Sequence, residues 1–230
     1  SLAERYRRKR GFAPARTERM LEVALDLLVA LTPPQSTVLE LGAGTGRFTQ
    51  KLLKARRFRE IYVTDGAEAM LAIAKQALGS QDTHVQFMEL DFTTSWSGRF
   101  AGMGFDAVTS AMAIHHADDK ERLFQQVFRT LNPKGVLVLA DHMAGASACI
   151  QQLIGRERAL VKLGREGKEN SERILELIAG DEERQREEGN VCETVAQYQR
   201  YLTDGGFEDV DCLWRDYWLA VLVARKPVGG

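Results

Sequence analysis

Five short apolar segments alternate with three helical patterns over the first 141 residues, and this alternation strongly limits the fold. The segments are typical of buried strands. Strands that alternate with helices form a parallel sheet through right-handed crossovers, with both faces of the sheet covered. The predicted strands are 38–41, 61–65, 85–88, 105–109 and 135–141, and the predicted helices are 46–54, 68–78 and 119–131.

The end of the chain follows a different pattern. Two further apolar segments, 210–214 and 217–224, are separated only by Arg215 and Asp216. A gap of this length permits a hairpin and is too short for a helical crossover. We therefore expect an antiparallel pair of strands at the end of the sheet.

Two regions lie outside the alternation of strands and helices. Residues 2–31 show a helical pattern with apolar positions on one face, and residues 145–190 are helical in pattern without a strand. We interpret the chain as a single domain over 1–230. It carries an N-terminal helical cap at 1–32 and a helical lid at 145–193, inserted after the fifth strand.

Charge and cysteine content exclude several classes of protein. The 230 residues include 31 Lys and Arg against 32 Asp and Glu, a net charge of -1, and this balance makes a nucleic-acid partner unlikely. The three cysteines are far apart, which argues against a disulfide framework and favours a cytoplasmic protein. No apolar stretch approaches the roughly 20 residues of a membrane span, and we expect no membrane association. The sequence does not indicate an oligomeric state.

A glycine-rich turn, 40–46, joins the first predicted strand to a helix. It reads Glu-Leu-Gly-Ala-Gly-Thr-Gly. Glycines let a backbone turn tightly and approach a ligand, and the start of the helix offers free N–H groups. A dinucleotide fingerprint would need glycine at position 47, where the chain has Arg47, so pyrophosphate binding is disfavoured. The alternative is a tight turn with no ligand.

Acidic and apolar residues follow the second and third strands. Asp65 would lie beside the glycine turn, where its carboxylate could accept both hydroxyls of a ribose or simply cap the next helix. Met70 would cover an adenine or belong to the core. Asp91 could accept a hydrogen bond from an adenine amino group, with the Phe92 N–H meeting a ring nitrogen, or form an Asx turn.

Together with segments 105–116 and 131–135, these motifs resemble the class I (Rossmann-like) S-adenosylmethionine-dependent methyltransferases. The resemblance covers roughly residues 36–141, and residues 206–225 match the terminal hairpin of that family. It implies an α/β fold with a doubly wound, mostly parallel sheet of seven strands in the order 3-2-1-4-5-7-6. Strand 7 is antiparallel, N-terminal helices precede the sheet, and a helical insertion follows strand 5. The motifs are not specific for the methyl acceptor.

The resemblance implies S-adenosylmethionine as the cofactor and S-adenosylhomocysteine as the product. Glu40 and the glycines would hold the methionine half, Asp65 the ribose, and Asp91 the adenine. Tyr6 and Arg10, in the basic N-terminal stretch, are candidates to contact the cofactor carboxylate. The alternative is that this stretch forms a solvated helix. The residues expected to bind the cofactor are Tyr6, Arg10, Glu40, Gly42, Ala43, Gly44, Gly46, Asp65, Gly66, Met70, Asp91, Phe92, Ser110 and Ala111.

Three of the four histidines fall at the ends of strands 4 and 5. His115 and His116 follow strand 4, and Asp141 and His142 end strand 5. Open α/β sheets bind their ligands at this edge, and a histidine can take up a proton near neutral pH. We therefore name His115, His116 and Asp141 as catalytic candidates, with packing or capping as the alternative. No metal is expected, because the available oxygen ligands lie on different loops.

The sequence thus predicts methyl transfer from S-adenosylmethionine to a small-molecule acceptor by in-line displacement. The predicted lid supports a small acceptor, because a lid can enclose one. Two alternatives remain open. One is modification of tRNA or another macromolecule, and the other is a catalytically silent protein that binds S-adenosylmethionine.

Overall fold

The computed structural model describes residues 14–79, 84–164 and 171–229. Its seven strands form one sheet in the order β3-β2-β1-β4-β5-β7-β6, as predicted. The strand β7 is antiparallel to both of its neighbours, and the other described pairs from β1 to β5 are parallel. The strands are β1 (Thr37–Leu41), β2 (Glu60–Asp65), β3 (Val85–Glu89), β4 (Phe105–Ala111), β5 (Leu131–His142), β6 (Glu208–Asp216) and β7 (Leu219–Arg225).

Helices cover both faces of the sheet, which explains why all five residues of β1 are buried. One face packs against α1 and α2, and the other packs against α4 and α7. The N-terminal helix is therefore confirmed from residue 14 onward. The helices are α1 (Pro14–Leu31), α2 (Arg47–Lys54), α3 (Glu68–Leu78), α4 (Lys120–Thr130), α5 (Ala148–Leu163), α6 (Ser171–Glu187) and α7 (Val195–Asp204).

The parallel register brings the carboxyl ends of the central strands to one edge. Leu41 at the end of β1 lies opposite Thr64 of β2 and Ser110 of β4. The glycine turn, Asp65 and the segment after β4 therefore start side by side. This is the edge at which open α/β sheets bind ligands.

The predicted position of the terminal hairpin turn was wrong by two residues. Arg215 and Asp216 belong to β6, and the turn consists of Tyr217 and Trp218, with Tyr217 at φ 52°. β6 is an edge strand whose residues alternate between exposed and half-buried positions. Arg215 occupies an exposed position of this strand, and the half-buried Asp216 pairs with Arg16, so the two charged residues did not mark a turn.

Two further boundaries differ from the prediction. β5 begins at Leu131 rather than at Gly135, because Leu131 pairs with Phe105 ahead of an irregularity in the ladder. The helix α7 was not predicted. It begins at a capping box, in which the Thr194 side chain accepts the Gln197 N–H and the Gln197 side chain accepts the Thr194 N–H.

Between β5 and α7 the described residues include two helices, α5 and α6, which pack against each other. Among the helices of the described ranges, none has the length and apolar character needed to cross a bilayer.

Candidate active site

A cavity of about 1450 Å³ opens at the carboxyl edge of the central strands. A single small ligand typically occupies roughly 300–1,000 Å³, so this cavity has room for more than one ligand. Its walls come from the glycine turn, the ends of β2 and β5, the segment after β4, and the helices α1, α2, α3, α5 and α6. Of the residues predicted from the sequence, those that line the cavity are Gly42, Ala43, Gly44, Asp65, Gly66, Met70, Phe92, Ala111, His115 and His116.

Two glycines of the turn are required for different reasons. Gly42 has φ 69°, and a Cβ there would lie 2.3 Å from the Cβ of Ala113. Gly44 has φ 56°, yet a Cβ there would meet no atom within 4 Å. Gly42 is therefore needed for packing, whereas Gly44 keeps its side of the cavity open for a ligand to approach the backbone.

The Asp65 carboxylate links the glycine turn to the start of α3. One oxygen accepts the Gly44 N–H at 2.8 Å and the other accepts the Ala67 N–H at 2.9 Å. Asp65 therefore lies beside the turn, but it does not cap α3, whose N-cap residue is Ala67 and has no side-chain cap hydrogen bond. Because a carboxylate oxygen can accept more than one hydrogen bond, Asp65 can still accept hydroxyl groups from the cavity.

Apolar side chains form the wall next to Asp65. Met70 is 6% exposed and Phe92 is 9% exposed, and both line the cavity. Asp91 is exposed and is not one of the lining residues. Its carboxylate accepts the N–H and the hydroxyl of Thr93, which is the Asx-turn alternative. The structure therefore does not bring Asp91 into the cavity with Phe92.

Three other predicted residues lie behind the glycine turn. Glu40 accepts the Thr49 hydroxyl at 2.7 Å, and the Ser110 hydroxyl donates to the Leu41 carbonyl at 2.8 Å. Both side chains are buried, and a Cβ at Gly46 would face Ala74 at 3.2 Å. In this structure these three residues support the turn and do not line the cavity, because they point into the packed layer beneath it.

Burial raises the pKa of Glu40 from 4.5 to about 7, although the hydrogen bond from Thr49 lowers it. Between these values the folded protein binds a proton that the unfolded chain has released, so the free energy of unfolding falls as the pH rises towards 7. Glu40→Gln keeps an oxygen for Thr49 and cannot ionise. We expect this variant to be more stable than the wild type at pH 8 by roughly 2–3 kcal/mol, with little difference at pH 4.

Urea unfolding of both proteins across this pH range measures that difference. Thr49→Val, which removes the hydrogen bond but leaves the carboxyl group, is the matched control and should retain the pH dependence. An unchanged pH slope in Glu40→Gln would contradict the account of Glu40.

The histidines meet around a buried carboxylate. His115 Nδ1 lies 2.5 Å from one Asp141 oxygen, and the His115 backbone N–H donates to the other oxygen at 2.9 Å. The His116 ring centroid is 4.2 Å from that of His115, and the His142 ring stacks on His115 at 5.1 Å. All three histidines line the cavity, with Asp141 fully buried behind them.

Electrostatics distinguish the members of this cluster. Burial alone would raise the pKa of Asp141, but the charge and hydrogen bonding of His115 hold it below its ordinary value. Burial and the nearby His115 lower the pKa of His142 to about 3. Asp141 is therefore ionised and His142 neutral near pH 7. The His115–Asp141 pair is the stronger candidate for accepting a proton.

Sequence reasoning missed a basic wall of the cavity. Arg158 and Lys162 of α5 and Arg184 of α6 line it. No short motif marks these residues, since the packing of α5 against α6 brings them together. The four-residue spacing of Arg158 and Lys162 on one helix face was the available signal.

Comparison with known proteins agrees with this geometry. A family model described as a methyltransferase domain matches residues 38–135. A demethylmenaquinone methyltransferase from Thermus thermophilus is 31% identical over 118 residues, which cover 51% of this chain and 51% of that protein. The match to the family model covers less than half of the chain, and the order of the seven strands is that of the class I S-adenosylmethionine-dependent methyltransferase fold.

Two other similar proteins match a larger part of this chain. A carboxy-S-adenosyl-L-methionine synthase from Shewanella amazonensis is 24% identical over 84% of this chain and 77% of that protein. Magnesium protoporphyrin IX methyltransferase from Synechocystis, solved with bound S-adenosylhomocysteine, has a TM-score of 0.64 at 16% identity, covering 97% of this chain and 93% of that one. The match to the Thermus methyltransferase described above spans about half of that protein's length.

The residues of the cavity fit S-adenosylmethionine as a cofactor. The open space over Gly44, the Asp65 carboxylate and the apolar wall of Met70 and Phe92 lie along one side of the cavity. Tyr6 and Arg10 lie outside the described residues, so their predicted contact with the cofactor carboxylate stays a prediction. Within the described ranges, no group of three or more His, Cys, Asp or Glu side chains is arranged to hold a metal ion.

Proposed function

We propose that this protein transfers the methyl group of S-adenosylmethionine to a small-molecule acceptor by in-line displacement. The observation that carries the proposal is one cavity that joins the glycine turn and Asp65 to the His115–Asp141 pair. The bound cofactor would supply an electrophilic methyl group on a sulfonium. The chain must then orient the acceptor, exclude water and remove a proton where the acceptor has one to lose.

The proposed roles on the cofactor side follow from the cavity wall. The backbone at Gly42, Ala43 and Gly44 would approach the methionine half, and the Asp65 carboxylate would accept the ribose hydroxyls. Gly66, Met70 and Phe92 would enclose the adenine, with Ala111 near the sulfonium. Glu40, Gly46 and Ser110 would act through the turn that they support. Asp91 would have to leave its Asx turn to reach the adenine.

On the acceptor side, His115 is the proposed base. With its proton on Nδ1, His115 donates a hydrogen bond to the Asp141 carboxylate, which leaves Nε2 as the basic nitrogen. The carboxylate also stabilises the imidazolium that forms when Nε2 takes a proton. His116 and His142 would shape the space around the acceptor.

A small acceptor is supported by the position of α5 and α6. Both helices contribute residues to the cavity wall opposite the strand ends, as a lid would. Bound alignment under such a cover can supply about 7–11 kcal/mol of the barrier. Two of the similar proteins are named for menaquinone and porphyrin substrates, which are small molecules.

Asp65→Ala tests the cofactor side of the proposal. Because the variant removes the proposed ribose acceptor, we expect calorimetry to show at least about a tenfold loss of affinity for S-adenosylhomocysteine. Glu89→Ala is the matched control, since Glu89 pairs with Asp65 in the sheet but is exposed and does not line the cavity. That control should bind with wild-type affinity.

Titration with NAD tests whether the proposed cofactor site excludes a dinucleotide. We expect no NAD binding, because Arg47 stands where a dinucleotide fingerprint needs glycine. Binding of NAD in preference to S-adenosylhomocysteine, or unchanged affinity in Asp65→Ala, would contradict the proposed cofactor site.

A further inference from the structure

A buried lysine lies next to the segment that contains His115. Lys120 is the first residue of α4 and is only 3% exposed. Its ammonium lies 5.9 Å from the centroid of the Tyr198 ring, and an aromatic face attracts a cation. Burial of a charged side chain costs free energy, and lysine is seldom enclosed in this way. A lysine at this position must therefore provide contacts that an apolar side chain could not.

The Lys120 ammonium joins two distant segments of the chain. Its Nζ donates to the Ala117 carbonyl and to the Val191 carbonyl, each at 2.7 Å. The Val191 N–H in turn donates to the His115 carbonyl at 2.7 Å. His115 belongs to the short 3₁₀ helix Ile114–His116, which Ala117 follows directly. These three hydrogen bonds fix the His115 segment against Val191.

Val191 lies just after α6, one of the two helices that we propose as a cover for the acceptor. Glu188 and Asn190, which precede it, line the cavity. The two chain segments that lead into and out of this cover are also joined, since the Ala144 N–H donates to the Glu193 carbonyl at 2.8 Å. The end of α6 and the His115 segment are therefore connected directly through Val191.

Charged groups near Lys120 belong to the same two segments. Burial lowers the pKa of Lys120, and the charges of Glu193 and Asp141 oppose this effect. Asp141 is also the carboxylate that contacts His115 Nδ1. Lys120 therefore acts on His115 both through the backbone and through the carboxylate that orients the imidazole.

We infer that Lys120 is a positioning residue, which holds His115 against Val191 so that its Nδ1–H stays directed at Asp141 and its Nε2 faces the acceptor. This inference rests on the proposed function, because it takes His115 as the base. The same lysine then fixes both the base and the end of the helix that covers the acceptor. A misplacement of roughly 1 Å at such a site can lower the rate about a hundredfold.

NMR of the histidine side chains in the full chain tests this positioning. Imidazole ¹⁵N shifts distinguish the two tautomers, and the His115 signals are those absent from His115→Asn. We expect wild-type His115 to be a single tautomer with its proton on Nδ1, because Asp141 accepts from that nitrogen. Lys120→Met should show a mixture of tautomers, since the imidazole is no longer held against Asp141. Lys120→Arg keeps a cation with N–H donors and should keep the single tautomer.

Lys226→Met is the matched control, because Lys226 is a buried lysine outside the cavity. It is 8% exposed, its ammonium donates to the Leu131 carbonyl at 2.9 Å, and it lies 4.8 Å from the centroid of the Phe128 ring. Both Met variants should unfold at a lower urea concentration than the wild type. Only Lys120→Met should change the tautomer of His115.

The same proteins are assayed with a small-molecule acceptor identified by transfer of a labelled methyl group. We expect Lys120→Met to lower kcat by roughly ten- to a hundredfold, with unchanged affinity for S-adenosylhomocysteine. Lys226→Met should keep the wild-type kcat. If Lys120→Met does not fold, Val191→Pro, which removes the N–H that donates to His115, replaces it with the same expected results.

A single His115 tautomer in Lys120→Met, full activity in that variant, or the same changes in Lys226→Met would overturn the inference. If the wild type transfers no methyl group while the tautomers differ as expected, only the proposed function is contradicted.

Discussion

His115→Asn is expected to lower kcat by roughly 10²–10⁴-fold while leaving the affinity for S-adenosylhomocysteine unchanged. The asparagine amide can replace Nδ1 as the donor to Asp141, so the buried carboxylate keeps a partner. The basic nitrogen Nε2 is lost. Steady-state kinetics with an identified acceptor, together with calorimetry of product binding, measures the two effects separately.

His116→Asn is the matched control for this prediction. It removes a neighbouring imidazole from the cavity wall but keeps the contact of His115 with Asp141. We expect a smaller fall in kcat than for His115→Asn. Equal losses in the two variants, or full activity in His115→Asn, would contradict the assignment of the base to His115.

Gly44→Ala is expected to lower the affinity for S-adenosylhomocysteine by at least about a hundredfold with only a small loss of stability. The added Cβ meets no protein atom within 4 Å, so the expected loss is the roughly 1–2 kcal/mol of placing alanine at φ 56°. The same Cβ would occupy the space that we assign to the cofactor. Calorimetry and urea unfolding report the two effects.

Gly42→Ala provides the contrast. Its Cβ would lie 2.3 Å from the Cβ of Ala113 at φ 69°, so the protein must shift to accommodate it. We expect it to lose about 2–4 kcal/mol of stability. If Gly44→Ala bound product normally, or lost as much stability as Gly42→Ala, the separate roles assigned to these glycines would be wrong.

The sequence was sufficient to predict the sheet because its signals are local and repeated. Apolar segments bounded by turns marked β1 to β5, and the short gap after position 214 excluded a crossover and indicated the hairpin. The exact turn was not predictable from charge, since the exposed edge strand β6 accommodates Arg215 and Asp216. Thr194 followed three residues later by Gln197 was a readable capping-box signal for α7.

The candidate site was predictable where one motif sets the geometry. The glycine turn, Asp65 and the histidines lie at strand ends, so the parallel register alone brings them together. Glu40 and Ser110 belong to the same strands, but their side chains point into the packed layer. Whether a side chain at the end of a strand faces the cavity or the packed layer depends on the helices that pack against the sheet there.

The basic wall depended on tertiary contacts that no motif encodes. Arg158 and Arg184 are 26 positions apart, and Asp181 pairs with both only when α5 packs on α6. At the end of α6, Arg184, Gln185 and Glu188 line the cavity, whereas Glu182, Glu183 and Arg186 beside them are exposed.

The central claim is that this chain binds S-adenosylmethionine and transfers its methyl group to a small molecule. The most direct measurement is incubation of the wild-type protein with S-adenosylmethionine carrying a labelled methyl group and a panel of small metabolites, followed by mass spectrometry. The account predicts a labelled acceptor and S-adenosylhomocysteine in equal amounts, with both greatly reduced in His115→Asn. Binding of S-adenosylhomocysteine with no labelled small molecule, or label found only in RNA or protein, would contradict it.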